Sequence, residues 1–395
     1  MAYQVLYRKY RPRDFSEVVG QDHITAVIRR QVETGRVAHA YIFSGPRGIG
    51  KTTVARLIAK AANCTAGEFG MPDLDNLKKY PRGYTGDTPK QEKPCNTCPS
   101  CEVFNSGHAL NLIEIDAASN RGIDEIRELR EAVRFAPPGG GKKVYIIDEV
   151  HQLTKEAFNA LLKTLEEPPA HAIFILATTE LDKVPPTIVS RTQAFDFRRP
   201  REEVISRRLI AVAAKEDVDL KPDAAEAIAF VAEGSVRDAE SMLGKILAAE
   251  DKTVTRAEVE EILGIPKREA LRQLFDFIVR KDIKSALNLL NRLYHDGYEM
   301  EYLNKILIAF FRDALLAKIA PSREALYSSS LLPEGEKEFT SLLDAYGAND
   351  LADAISHLIE ALTLSRRSPI PQLPLEMALV SIINVREVQP PKIGG

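Results

Sequence analysis

The stretch Gly45-Pro46-Arg47-Gly48-Ile49-Gly50-Lys51-Thr52 constrains this chain more tightly than any other. It has the form G-x-x-x-x-G-K-T, between an apolar run at 40–43 and a segment of helical periodicity beginning near Val54. A buried strand, a glycine loop and a helix start in that order describe a phosphate-binding loop. The glycines let backbone N–H groups turn inward around a polyphosphate, and the helix N-terminus adds its dipole. Gly45 to Thr53 are then expected to cradle a nucleoside triphosphate, with Lys51 on the β- and γ-phosphates and the Thr52 hydroxyl on Mg2+. The plainer alternative, a turn that binds nothing, is hard to reconcile with strand, loop, Lys-Thr pair and helix all in register.

A chain of 395 residues is long for one core, so two or three domains are expected. With 45% hydrophobic and 28% charged residues it has the composition of a soluble globular protein. The net charge of −3 argues against coating a polyanion but leaves room for a local basic strip. No apolar run approaches the roughly 20 residues that span a bilayer. Met1-Ala2-Tyr3-Gln4 lacks the features of a signal peptide, so a cytoplasmic location without a membrane is expected.

The pattern predicts strands at 40–43, 110–116, 143–147, 172–177 and 194–197, alternating with helices at 22–34, 54–63, 123–135 and 155–165. That alternation predicts a parallel, doubly wound sheet. The opening 7–15 is basic, aromatic and interrupted by Pro12, and reads as an ordered arm rather than a helix. Residues 65–94 read as a long polar insertion. From Pro200 strand patterns stop and helical periodicity takes over, punctuated at Leu263-Gly264-Ile265-Pro266. The expected division is 1–200 for the sheet domain, 201–264 for a small helical domain, 265–388 for a helical bundle, and 389–395 for a tail.

Val144-Tyr145-Ile146-Ile147-Asp148-Glu149 is a buried strand that ends in two acids. Asp148 at its edge can hold Mg2+, and Glu149 can polarise an attacking water. Thr178-Thr179 would end the fourth strand beside the γ-phosphate position. Arg191 stands poorly for its own nucleotide but well for a neighbour's, and Arg237 opens a helix that can report the nucleotide. For both arginines a surface ion pair is the alternative. Cys64 with Cys95-x-x-Cys98-x-x-Cys101 suits tetrahedral Zn2+ in a closed structural site. His108 and His151 lack metal spacing and read as structural.

Several motifs together resemble the gamma/tau subunit family of bacterial DNA polymerase III, the AAA+ ATPase motors of a sliding-clamp loader. They are residues 3–12, Val18-Val19-Gly20-Gln21, the phosphate loop, Ile147-Asp148-Glu149-Val150-His151, residues 160–169 and Ser190-Arg191. The motifs are dense to about residue 240, beyond which length and helical character carry the likeness.

The resemblance implies α/β followed by all-α architecture: an AAA+ five-stranded parallel αβα domain with a zinc module (64–101), a helical lid and a C-terminal helical-bundle collar. It implies ATP, Mg2+ and Zn2+ as cofactors. Tyr7, Arg11, Val18 and Val19 would enclose the adenine, Thr179 and Arg237 act as first and second sensors, and Arg191 reach the next subunit's ATP. Cys64, Cys95, Cys98 and Cys101 resemble the zinc ligands. The implied partners are the delta and delta-prime subunits, further gamma/tau copies, the sliding clamp, and primer-template DNA held by its backbone. Asn120, Arg121 and Gly122, at a helix start, are candidate phosphate contacts. The family belongs to a DNA-directed DNA polymerase holoenzyme, a transferase, but no polymerase chemistry is expected in this chain. Two departures stand out: Thr192 occupies a usual cysteine position after Arg191, and the 64–95 insertion is long. A nucleotide-dependent scaffold with little turnover and an AAA+ motor that translocates DNA are the rival readings.

Overall fold

The computed structural model describes residues 4–66, 92–137, 140–249, 252–320, 343–365 and 367–384. Most of the insertion, the 389–395 tail and the last residues of the expected bundle lie outside them. The chain forms two compact units: residues 1–218 with 228–247, and residues 219–227 with 248–395.

The first unit is built on five parallel strands: β1 (Ala40–Ser44), β2 (Leu112–Asp116), β3 (Lys143–Asp148), β4 (Ala172–Thr178) and β5 (Gln193–Asp196). Their spatial order is β2-β3-β4-β1-β5. β1 and β4 are buried at every position, which is why they read as continuous apolar runs rather than alternating ones. Their side chains nevertheless alternate between two cores. Tyr41 and Phe43 join Ile146 and Ile175 beneath the helices Asp22–Glu33 and Lys51–Ala62. Ile42 joins Tyr145, Phe174 and Leu176 beneath Ile123–Val133 and Lys155–Glu166. A helix layer on each sheet face is the expected αβα arrangement, and the all-α remainder follows it.

The register brings the functional ends together. Ser44 pairs with Thr178, and Asp116 with Asp148, so the loops after β1, β2, β3 and β4 emerge along one edge.

Among the described residues of the second unit, helices follow one another from Arg256–Leu263 to Leu373–Asn384. Phe275 packs edge-on against Phe310, Phe311 and Tyr346 at centroid distances of 5.7, 5.5 and 5.8 Å. This unit departs from the sequence expectation in one respect. Asp219–Leu220 and Thr253–Val254 form a two-residue parallel pairing beyond Pro200, too short to show alternation. Two other elements also differ. Leu6–Lys9 forms one helical turn inside the arm. Pro99–Ser106 is a helix capped by the Cys98 side chain, within a stretch read only as metal ligands.

Candidate nucleotide and metal sites

β1 delivers the chain to the phosphate loop, where Gly45, Gly48 and Gly50 take positive φ of 132°, 80° and 107°. At Gly48 more than backbone freedom is required, because a Cβ there would overlap the Ser235 hydroxyl. The Arg237 amide donates to the Gly48 carbonyl at 3.2 Å, which fixes the loop against the start of helix Val236–Leu247. Lys51, 6% exposed, folds back over the loop and donates to the carbonyls of Gly45 (2.6 Å) and Pro46 (2.7 Å). Burial pushes its ammonium below the ordinary lysine value, against the pull of Glu149 and Asp148.

The Thr52 hydroxyl donates to Asp148 Oδ2 at 3.0 Å. Two oxygens that chelate a divalent ion in such loops are thus already adjacent. Asp148 Oδ1 accepts the Glu149 amide at 3.0 Å. Glu149 itself has φ 48°, a left-handed conformation uncommon for a residue with a Cβ. Its Oε2 accepts from Thr179 Oγ1 at 3.0 Å and from the Thr179 amide at 3.3 Å. Under this pair lies His151, whose Nδ1 is 3.0 Å from Thr178 Oγ1 and whose Nε2 is 3.2 Å from Glu180 Oε1. Its reading as structural understates how close it stands to Glu149, at 3.5 Å.

The arm closes one side of a cleft of about 690 Å³ above this floor. Tyr7, Arg11, Val18 and Val19 line it, with Arg47 to Thr53, Asp148, Glu149 and Arg237. The Arg237 guanidinium lies 4.8 Å from the Tyr7 ring centre, and its hydrogen bond holds the phenol below the usual tyrosine value. Sequence reasoning missed the pair that seats the arm. Arg208 donates to the Tyr10 carbonyl (2.5 Å) and to Glu240 (2.9 Å), whose burial raises its carboxyl above the ordinary range. No local pattern flags such a pair; an acid on the apolar stripe of a helix is the only signal. Gln21, fully buried, likewise joins the chain before the first long helix to Arg198.

The cleft does not gather every candidate. Arg191 precedes β5 and so sits at the opposite end of the sheet from the phosphate loop. It pairs with Glu166 at 2.5 Å and donates to the Thr187 carbonyl at 2.9 Å. Arg121 donates to the Ala118 carbonyl at 2.9 Å, and Asn120 to that of Asp116 at 3.0 Å, closing the turn that Gly122 ends.

Cys64, Cys95, Cys98 and Cys101 converge, their sulfurs all within 4.8 Å of one another, and none is in a disulfide. The amides of Cys95, Cys98 and Cys101 donate to the sulfurs of Cys64, Cys95 and Cys98 at 3.4, 3.3 and 3.4 Å. Burial would raise the Cys98 thiol, but hydrogen bonds from Thr65 and the Cys101 amide hold it down at about 6. Burial drives Cys101 well above the usual thiol range. Four sulfurs on a tetrahedral zinc stand about 3.8 Å apart, so this set could close on the ion with shifts of about an ångström or less. The cleft fits a nucleotide with its magnesium for its own reasons: a glycine cradle, a buried cation, and the Thr52–Asp148 pair.

A family model described as DNA polymerase III, delta subunit, matches residues 20–80 and 70–201. One described as DNA polymerase III subunits gamma and tau, domain III, matches residues 254–393. The chain is similar to DNA polymerase III subunit tau of Bacillus subtilis (strain 168): 38% identity over 382 residues, 97% of this chain and 63% of that protein. Subunit gamma of Buchnera aphidicola subsp. Acyrthosiphon pisum is 39% identical over 312 residues, 79% of this chain and 80% of that protein. For subunit gamma of Buchnera aphidicola subsp. Schizaphis graminum the identity is 33% over 383 residues, 97% and 99% of the two chains. The chain spans 63% of the Bacillus tau protein and 47% of that of Escherichia coli (strain K12). Among solved structures, the RuvB Holliday junction branch migration motor of Thermotoga maritima is 18% identical. It covers 68% of this chain and 79% of that one, with a TM-score of 0.46. Similarity that runs through both compact units and nearly the full length of a gamma subunit is decisive: this chain belongs to the gamma/tau subunit family of DNA polymerase III.

Proposed function

We infer that the chain is the ATP-hydrolysing motor subunit of a replicative sliding-clamp loader. The observation that carries this reading is the cleft floor, where Lys51, the Thr52–Asp148 pair and Glu149 meet at the ends of β1 and β3. Gly45 to Thr53 bind the triphosphate, Lys51 exchanges its two loop carbonyls for phosphate oxygens, and Tyr7, Arg11, Val18 and Val19 enclose the adenine. Thr52 and Asp148 hold Mg2+, which when bound spreads the charge of the phosphates. Glu149 accepts a proton from the attacking water, and Thr179 fixes the carboxylate's second oxygen. Arg237 ties the bound state to its helix.

Arg191 stands at the far end of the sheet, a position that suits service to a neighbour's site. The collar at 265–388 would join copies to one another and to the delta and delta-prime subunits, with 201–264 as lid. Cys64, Cys95, Cys98 and Cys101 hold structural zinc. Asn120, Arg121 and Gly122 face a DNA phosphate, and the complex holds an open clamp on primer-template DNA until hydrolysis releases it. A cytoplasmic, replisome-bound hetero-oligomer follows. No helix among the described residues is long and apolar enough to cross a membrane.

Against the low-turnover scaffold, the acids and the sensor threonine form a connected set rather than isolated remnants. The test is a binding and phosphate-release assay on Lys51→Ala and Glu149→Gln. The first should lose nucleotide; the second should keep it and lose turnover. Unchanged release by Glu149→Gln would overturn the catalytic reading.

A further inference from the structure

Lys60 lies on the helix Lys51–Ala62 that follows the phosphate loop, on the apolar side with Leu57 and Ala61. It is 4% exposed and makes no ion pair with a described carboxylate, although the charge of Asp14 attracts it. Its ammonium donates instead to three neutral oxygens from three separate segments. One is the Arg13 carbonyl, at 3.0 Å. The second is Asn105 Oδ1 at 2.5 Å, on the helix Pro99–Ser106 that carries Cys101. The third is Asn96 Oδ1, in the turn between Cys95 and Cys98 where the backbone takes φ 63°.

A buried ammonium without an ion-pair partner is costly, and it is tolerated where hydrogen bonds or nearby negative charge compensate. A divalent ion on four thiolates carries net negative charge. Cys64 follows two residues after the end of the helix that carries Lys60 and is buried like it. The other two module contacts are with residues whose positions the metal would fix. The remaining contact is with the arm. Arg13 adjoins Pro12, which lines the cleft, and Asp14 caps the turn Phe15–Glu17 that leads to Val18 and Val19 on the cleft wall.

We propose that Lys60 couples the four-cysteine module to the nucleotide cleft, so that metal and nucleotide strengthen each other's binding; this rests on the readings of cleft and cysteines given above. With metal in place, Asn96 and Asn105 hold the ammonium, and the ammonium holds the arm at Arg13. With the metal gone, the side-chain acceptors lose their fixed positions, the lysine leaves its buried place, and the arm loosens. The module is then more than a brace for its own loop, since it sets how firmly the adenine side of the cleft is closed.

Coupling is reciprocal, which supplies two readouts that need no turnover. In the full chain, zinc affinity is measured by competition with a chromogenic chelator, with and without a non-hydrolysable ATP analogue. Analogue affinity is measured by calorimetry on the zinc-loaded and zinc-free protein. Each ligand should tighten the other by about tenfold, the scale of a charged hydrogen bond. Amide exchange over residues 6–19 should accelerate on zinc removal. In Lys60→Met both ligands should still bind, each without effect on the other. Asn105→Leu, which removes one acceptor and no charge, should reduce the coupling and serves if Lys60→Met does not fold. Equal analogue affinity in zinc-loaded and zinc-free wild type would overturn the proposal, as would undiminished coupling in Lys60→Met. Nucleotide binding without any zinc binding would overturn it while leaving the cleft reading intact. Absence of nucleotide binding in both forms would overturn both.

Discussion

Lys51 is held by two backbone carbonyls and sits out of water, so its ammonium is poised for a stronger acceptor. Charge-assisted hydrogen bonds contribute about 1.5–3 kcal/mol, so Lys51→Met should weaken ATP binding by roughly ten- to a hundredfold. The pH dependence has a definite sign. Burial lowers the free protein's Lys51 below 10.5, and phosphate must favour the charged form. As pH rises through that depressed value the free lysine loses its proton, and ATP binding must then restore it. Affinity should therefore begin to fall at a pH below 10.5, with proton uptake on binding; calorimetry in buffers of different ionisation enthalpy measures it. On the proposed reading Glu149 serves turnover rather than affinity. Removing a general base costs about 10²–10⁴ in rate, so Glu149→Gln should bind ATP normally and release phosphate that much more slowly in single-turnover assays.

At the scale of elements, the phosphate loop depends on the Gly48–Ser235 approach. Gly48→Ala should distort the loop, since the residue takes φ 80° and its Cβ would displace the Ser235 hydroxyl. The expected result is weakened nucleotide affinity with sheet and helix content unchanged by circular dichroism. The helix Pro99–Ser106 is short and carries Cys101, so if the four cysteines hold zinc as proposed, chelation should abolish its amide protection while β1, β3 and β4 keep theirs. Elements differed in how openly the sequence declared them. β1, β3 and β4 are buried on both faces, and their apolar runs and bounding loops mark them. Asp148 and Glu149 follow directly from where β3 stops. Pro99–Ser106 was hidden because Cys101 within it and Cys98 before it have a second use that dominates the pattern. The pairing of Asp219–Leu220 with Thr253–Val254 is too short for alternation and is made between residues distant in sequence. Lys60, Arg208 and Glu240 were hard to read for a related reason. Their partners lie far along the chain, and charged residues on helices ordinarily mean solvent.

At the scale of the whole molecule, the cleft holds the nucleotide's groups but not Arg191, which stands across the sheet in an ion pair with Glu166. An arginine supplied to a neighbour's transition state contributes about 10³–10⁵ in rate. Lys51→Met and Arg191→Ala should each lower turnover severely when every copy carries the change, with nucleotide affinity kept in Arg191→Ala. Mixed oligomers of the two should recover activity, because an intact Lys51 from one copy can meet an intact Arg191 from another. Service within one chain would give no recovery. A motor of the proposed kind answers to both a clamp and a primed template, and one set of rates tests it. Steady-state ATPase of the assembled loader is measured alone, with the sliding clamp, with primed DNA, and with both. Stimulation by the two together should lie well above the product of their separate effects. Rates that are indifferent to the clamp, or a DNA response that the clamp does not change, would contradict it.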